Sequence, residues 1–118
     1  GPSSITLAVA ASGLQGQRFA FVGYLPTDAA ERTARVRALE AHSQREQQTQ
    51  VAIETPYRNA ALMAALIEAL KPGTLLSMAC GLTMPGGWCL TKTVAQWRAA
   101  PPRFESKHLP AVFCWLAG

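Results

Sequence analysis

Glu54, Tyr57, Arg58 and Asn59 lie within six residues of one another, where a strand-like run at 49–54 with an apolar core meets Thr55-Pro56 and then a smooth apolar stretch. These side chains can do complementary work. A carboxylate can orient a ligand amine or hydroxyl, and a guanidinium can hold a phosphate through paired, charge-assisted hydrogen bonds. A phenol ring can stack on an unpaired nucleobase. Glu54 and Arg58 are therefore the candidate catalytic residues, and Tyr57, Arg58 and Asn59 the candidate substrate contacts. A purely structural alternative also exists: Glu54 bonds nearby backbone, Tyr57 packs, and Arg58 pairs with a surface acid.

The elements around these residues must aim them. Residues 49–54 read as a strand ending at the carboxylate. Thr55 can cap a helix that starts at Pro56, where a missing N–H costs nothing, and runs to Lys71 before Pro72-Gly73 stops it. In α/β sheets, ligands collect at the carboxyl ends of strands, beside outward-pointing helix N–H groups. The 54–59 corner is such an end.

The other elements follow from the same rules. Pro2 and Ser3 or Ser4 open a short helix carrying 5–12, which is small and apolar on every side and stops at Gly13. Residues 19–24 read as a buried strand. Asp28 and Glu31 have capping-box spacing before an Arg-rich helix running to about His42, with Val36 and Leu39 on its apolar stripe. Residues 43–48 read as a loop and 75–80 as a strand. A hairpin is expected from 82–84 and 88–91 around Pro85-Gly86-Gly87. Thr93 caps a short helix bearing Trp97, and a Pro-rich connector at 99–109 leads to a last strand at 111–116. The order is α-β-α-β-α-β-β-α-β. It implies one three-layer α/β domain over 1–118, with a mixed sheet of about five strands.

Composition narrows the function classes. The chain has 118 residues, 49% hydrophobic and 15% charged, enough for a real core and unlike a disordered segment. Its net charge of +4 comes from 11 basic and 7 acidic residues. Eight of the 11 are Arg, which suits phosphate contacts, although an Arg-bearing helix such as that holding Arg32, Arg35 and Arg37 is first of all a solvated face. Cys80, Cys89 and Cys114 make an odd count without C-x-x-C spacing, each in an apolar run, and read as reduced core thiols of a cytoplasmic protein. His42 and His108 have no ligand spacing to them, so no metal site is expected. No run reaches membrane-spanning length. Trp88, Trp97 and Trp115 read as packing residues.

"GPSS" before an apolar helix, "ASGLQGQRFAFVGYLP", "QTQVAIETPYRN" and a terminal "LPAVF" occur in an order that resembles the carboxyl-terminal half of the tetrapyrrole methylase superfamily. Within it, the chain is similar to the branch that methylates riboses of small-subunit ribosomal RNA, and to its uncharacterised relatives. The resemblance spans essentially the whole chain. It implies two α/β domains with S-adenosylmethionine in the cleft between them. Gly1, Pro2, Ser3 and Ser4 would then be the segment joining the domains beside the cofactor. Ile53, Glu54 and Thr55 would contribute contacts, and backbone at Leu109, Pro110 and Ala111 would close the adenine side. The amino-terminal half, with its Gly-rich cofactor loop, lies outside these residues, so this domain alone is expected to be inactive. The ribosomal branch carries a charged "LTK" segment with acids nearby in the hairpin region; here that region reads "GLTMPGGWCLTKTVAQW", apolar and Gly-rich.

The expectation is thus one domain of an S-adenosylmethionine-dependent methyltransferase with RNA as partner, homodimeric as the family generally is. Methyl transfer from a sulfonium asks mainly for alignment, so the lack of a catalytic triad or metal cluster is compatible with it. The alternatives are a tetrapyrrole acceptor, and a non-catalytic binding or dimerisation module.

Overall fold

The computed structural model describes residues 2–102 and 109–118. In chain order the elements are α1 (Pro2–Ser12), β1 (Phe19–Tyr24), α2 (Ala29–Glu46), β2 (Thr49–Glu54), a 3-10 turn (Pro56–Arg58) and α3 (Asn59–Ala69). They continue with β3 (Leu75–Cys80), β4 (Trp88–Thr93), α4 (Val94–Ala99) and β5 (Ala111–Leu116). The expected element order is borne out, with the 3-10 turn added ahead of α3.

The five strands form one mixed sheet in the order β1-β2-β5-β3-β4. β1 and β2 are parallel, and every pairing from β2 through β5 and β3 to β4 is antiparallel. The last strand in sequence therefore sits at the centre, which explains why Ala111, Phe113, Cys114 and Trp115 are all buried. Alternate residues of each strand face opposite layers. Leu76, Met78, Phe113 and Trp115 join Val36, Leu62, Leu66 and Trp97 in the main core beneath α2, α3 and α4. On the other face, Val51 and Cys114 pack with Val9 of α1 in a smaller cluster.

Side chains tie the layers together. The Glu40 carboxylate of α2 is buried and accepts from the Lys71 backbone N–H at 2.8 Å and the Thr74 hydroxyl at 2.6 Å. The Arg98 guanidinium donates to the carbonyls of Ile67, Glu68 and Leu70, closing the end of α3. Thr93 and Gln96 form a complete capping box on α4.

Three boundaries differ from the expectations, each for a tertiary reason. α2 continues past His42 to Glu46 because the buried Ser43 hydroxyl accepts the Ala117 N–H at 3.1 Å, so polar Ser43 is held in the helix by the end of β5. Gln47 then stops the helix in a left-handed conformation, φ 50°, a position glycine more often fills. Next, α3 does not begin at Pro56. The Thr55 side chain makes no cap; its N–H and hydroxyl both go to Glu54 Oε1, at 2.8 and 3.4 Å, and the first turn is 3-10. Finally, residues 82–84 are not a strand. β3 itself pairs with β4, and loop 81–87 turns twice through bonds from Met84 N to Gly81 O and from Gly87 N to Met84 O. Of the 99–109 connector, residues 103–108, including His108, lie outside the described residues.

The cysteines are free, with Cys80 and Cys114 buried and Cys89 half-buried. Burial, and after it the charge of Cys89, pushes the Cys114 thiol up to about 12. Burial alone raises Cys80. An unfolded thiol ionises at about 8.5. Cys114 is therefore raised in the folded state, and its contribution to stability is full below that pH and lost as pH rises towards 12. The slope is about 1.4 kcal/mol per pH unit over that window. Urea midpoints between pH 8 and 11 should fall more steeply for the native protein than for Cys114→Ala; parallel curves would contradict this.

Candidate functional site

β1, β2 and β3 run in one direction and β4 and β5 in the other, so the carboxyl ends of the first three share a sheet edge with the start of β5. α1 packs on β5, β3 and β4. The same face of β1 and the end of β2 carry no helix, and there Phe19, Phe21 and Tyr24 are exposed. The result is a cavity of about 680 Å³. One wall is Ser4, Ile5 and Thr6 of α1; the floor is Ile53, Ala79 and Val112, with Glu54 at the rim; Pro110 and Ala111 close one side. Gly81, Leu82 and Thr83 of the β3–β4 loop and the three β1 aromatics form the rest.

The structure brings together much of what the sequence indicated. Ser4, Ile53, Glu54, Pro110 and Ala111 line this one cavity, although they come from three separate stretches of chain. Gly1 lies outside the described residues, and Pro2 and Ser3 lie in the first turn of α1. Thr55 is exposed beside the cavity and serves the Glu54 carboxylate. Glu54 itself is half-buried, and both of its bonds fall on Oε1. That satisfies the structural alternative for this residue while also fixing the carboxylate at the cavity rim.

The remaining corner residues divide. Tyr57 is 88% exposed and packs on nothing substantial, which removes the packing alternative for it. Arg58 is exposed and makes no ion pair among the described residues. Asn59 is instead turned inward: it is 2% exposed, and its Nδ2 donates to the Leu109 carbonyl at 3.0 Å. No group of three or more His, Cys, Asp or Glu that could hold a metal exists among the described residues. No described helix is long and apolar enough to cross a membrane.

Sequence reasoning missed the β1 aromatics as cavity residues. Their alternation puts Phe19 and Phe21 on one face, but an aromatic, β-branched run reads as a buried strand. β1 is in fact an edge strand, with a register irregularity between Phe21 and Gly23 that swings Tyr24 onto the same face as Phe19 and Phe21. Nothing in the sequence says which face lacks a covering helix.

No protein-family model matches the chain. Ribosomal RNA small subunit methyltransferase I of Mesorhizobium japonicum is 34% identical over 111 residues, 94% of this chain and 34% of the relative. The chain thus spans about a third of the length of that curated relative. Among solved structures, the methyltransferase CobJ aligns with 98% of this chain and 47% of its own at a TM-score of 0.56 and 17% identity, which is a likeness of fold. Uroporphyrin-III C-methyl transferase from Thermus thermophilus, solved with S-adenosyl homocysteine, aligns with 92% of this chain and 48% of its own at 16% identity and a TM-score of 0.47. The motif order, the similarity along nearly the whole chain and the five-stranded mixed sheet are consistent with a domain of the tetrapyrrole methylase superfamily.

Proposed function

We propose that this chain is the carboxyl-terminal domain of an S-adenosylmethionine-dependent methyltransferase acting on a ribose hydroxyl of small-subunit ribosomal RNA in the cytoplasm. One observation carries the reading. Ser4, Ile53, Glu54, Pro110 and Ala111, named from family resemblance, line a single cavity at the strand ends. The similarity to a ribosomal RNA methyltransferase supports the acceptor class.

The residues suit the cofactor. Ile53, Pro110, Ala111 and Val112 offer an apolar surface for a flat ring, and Ser4 and Glu54 supply the few polar groups a small-molecule site needs. When bound, S-adenosylmethionine supplies a methyl group on a positively charged sulfur. Glu54, held by Thr55, accepts hydrogen bonds from a ligand hydroxyl or amine and anchors it at the rim. Arg58 holds an RNA phosphate, and Tyr57 stacks on a base beside it. An amino-terminal domain covers the open side of the cavity and brings the Gly-rich loop, so this domain alone is inactive. Homodimerisation uses the β4 side, where Met84 and Leu90 are exposed.

A tetrapyrrole acceptor is the second reading. Its support is the aromatic wall of Phe19, Phe21 and Tyr24, which would suit a flat macrocycle.

The test gives full-length protein methyl-labelled cofactor with isolated small ribosomal subunits, and in parallel with a tetrapyrrole precursor. Label in ribosomal RNA is the expected result. Label only in the macrocycle transfers the assignment to the second reading. Absence of cofactor binding would leave a binding module. In the active system, Glu54→Ala and Arg58→Ala should each lower kcat/KM by about 10- to 100-fold, the cost of a charged hydrogen bond. Unchanged transfer would remove these residues from the site.

A further inference from the structure

Asn59 presents an unusual account of hydrogen bonds. It is 98% buried, yet its Oδ1 has no partner among the described residues. A buried acceptor left unmet is costly, and an apolar side chain would avoid the cost. The gain must lie at the other end of the amide, where Nδ2 donates to the Leu109 carbonyl across 50 residues of sequence.

Leu109 begins the stretch that becomes the cavity's Pro110–Ala111 side. Pro110 has no N–H, so backbone bonding there depends on carbonyls. Two nitrogen donors take them, with the Cys80 thiol a longer third at 3.9 Å from the Leu109 carbonyl. Asn59 Nδ2 holds the Leu109 carbonyl at 3.0 Å, and the Gly81 N–H holds the Pro110 carbonyl at 2.9 Å. Gly81 sits at φ +59°, and a Cβ there would approach Leu109 Cδ1 to 2.9 Å, so the Leu109 side chain closes directly against the glycine. Asn59 also starts α3, immediately after the 3-10 turn that follows Glu54 and Thr55. One side chain thus ties the start of α3, just past Glu54 and Thr55, to the residue that leads into the Pro110–Ala111 wall, where Ala111 pairs with Glu54.

We propose that Asn59 is a positioning residue for the cofactor. By fixing the Leu109 carbonyl, it sets where Pro110 enters the cavity wall, just ahead of the point at which Ala111 pairs with Glu54, and it touches neither cofactor nor acceptor. The inference rests on the methyltransferase reading above. Its consequence is a split in the kinetics: the cofactor should feel the loss of Asn59 and the acceptor should not.

The experiment uses the full-length protein and measures S-adenosylhomocysteine affinity by calorimetry, with KM for cofactor and acceptor alongside. Asn59→Ala and Asn59→Asp both remove the donor, and the second nearly preserves shape. Each should weaken affinity about tenfold, the loss expected for one hydrogen bond, with acceptor KM unchanged. Leu62→Val, a mild trim in the buried face of the same helix, should lower stability without moving cofactor affinity. The inference is overturned if the Asn59 variants fold and bind normally, if Leu62→Val weakens binding equally, or if neither Asn59 variant folds. Failure of the native protein to bind S-adenosylhomocysteine is a separate result, which refutes the methyltransferase reading itself and this inference with it.

Discussion

Replacing Trp97 with alanine should cost the domain about 4 kcal/mol, a large part of a typical domain's margin. The indole is 1% exposed at the centre of the main core, and its Nε1–H donates to the Leu76 carbonyl at 2.8 Å. Lys92 Nζ lies 4.7 Å from the ring centroid and adds a cation–π contact. Truncation opens a cavity between α4 and β3 and removes the indole's bond to the Leu76 carbonyl, and the two costs arise together. Thermal unfolding should shift down by on the order of 15 °C. Trp97→Phe separates the contributions, because most of the volume stays while the hydrogen bond goes; about 1–3 kcal/mol is expected. A loss below about 1 kcal/mol for Trp97→Ala would mean the site collapses to fill the space, against the close packing described above.

On the proposed methyltransferase reading, Gly87→Ala should have the largest effect on catalysis of any change outside the cavity lining. A Cβ at Gly87 would overlap the Gly81 carbonyl oxygen, and would lie 2.7 Å from the Gly81 carbonyl carbon and 3.0 Å from Leu82 Cα. These are backbone atoms, so no rotamer change relieves the collision. Gly81, Leu82 and Thr83 line the cavity, and Gly81 N–H also tethers the Pro110 carbonyl. The overlap must therefore displace two walls at once. Displacements near 1 Å at a site that works by alignment reduce rates by about 100-fold. Gly86 provides the internal control. It has φ +81° but open space around it, so Gly86→Ala should cost only about 1 kcal/mol of backbone strain and leave methyl transfer nearly intact. Steady-state kinetics and melting curves of both variants in the full-length protein check this. Equal losses in both would show that flexibility of the loop, rather than its contact with Gly81, is what matters.

Much of this molecule is determined locally. The element order needed only period, caps and breakers. Asp28 accepts from the Glu31 N–H at 2.9 Å, and Thr93 with Gln96 closes a capping box, as their spacing requires. Thr49–Glu54 is a strand ending at its carboxylate because the apolar run ends there. The cavity residues Ser4, Ile53, Glu54, Pro110 and Ala111 could be named because they stand in motifs whose order resembles a family.

Other features depended on which elements become neighbours. β5, the last strand, inserts between β2 and β3, and so brings Pro110 beside Glu54 and Gly81; no local propensity encodes that insertion. Ser43 stays helical because Ala117 needs an acceptor, and Asn59 is buried because Leu109 offers one. Phe19, Phe21 and Tyr24 look like core residues in any one-dimensional reading, and are exposed because α1 covers the other end of the sheet. Periodicity and capping are interactions between residues a few positions apart, so the sequence alone determined the order of the strands and helices and most of their limits. Strand order, helix coverage and the long-range bond from Asn59 to Leu109 join residues tens of positions apart, and only the tertiary structure decided them.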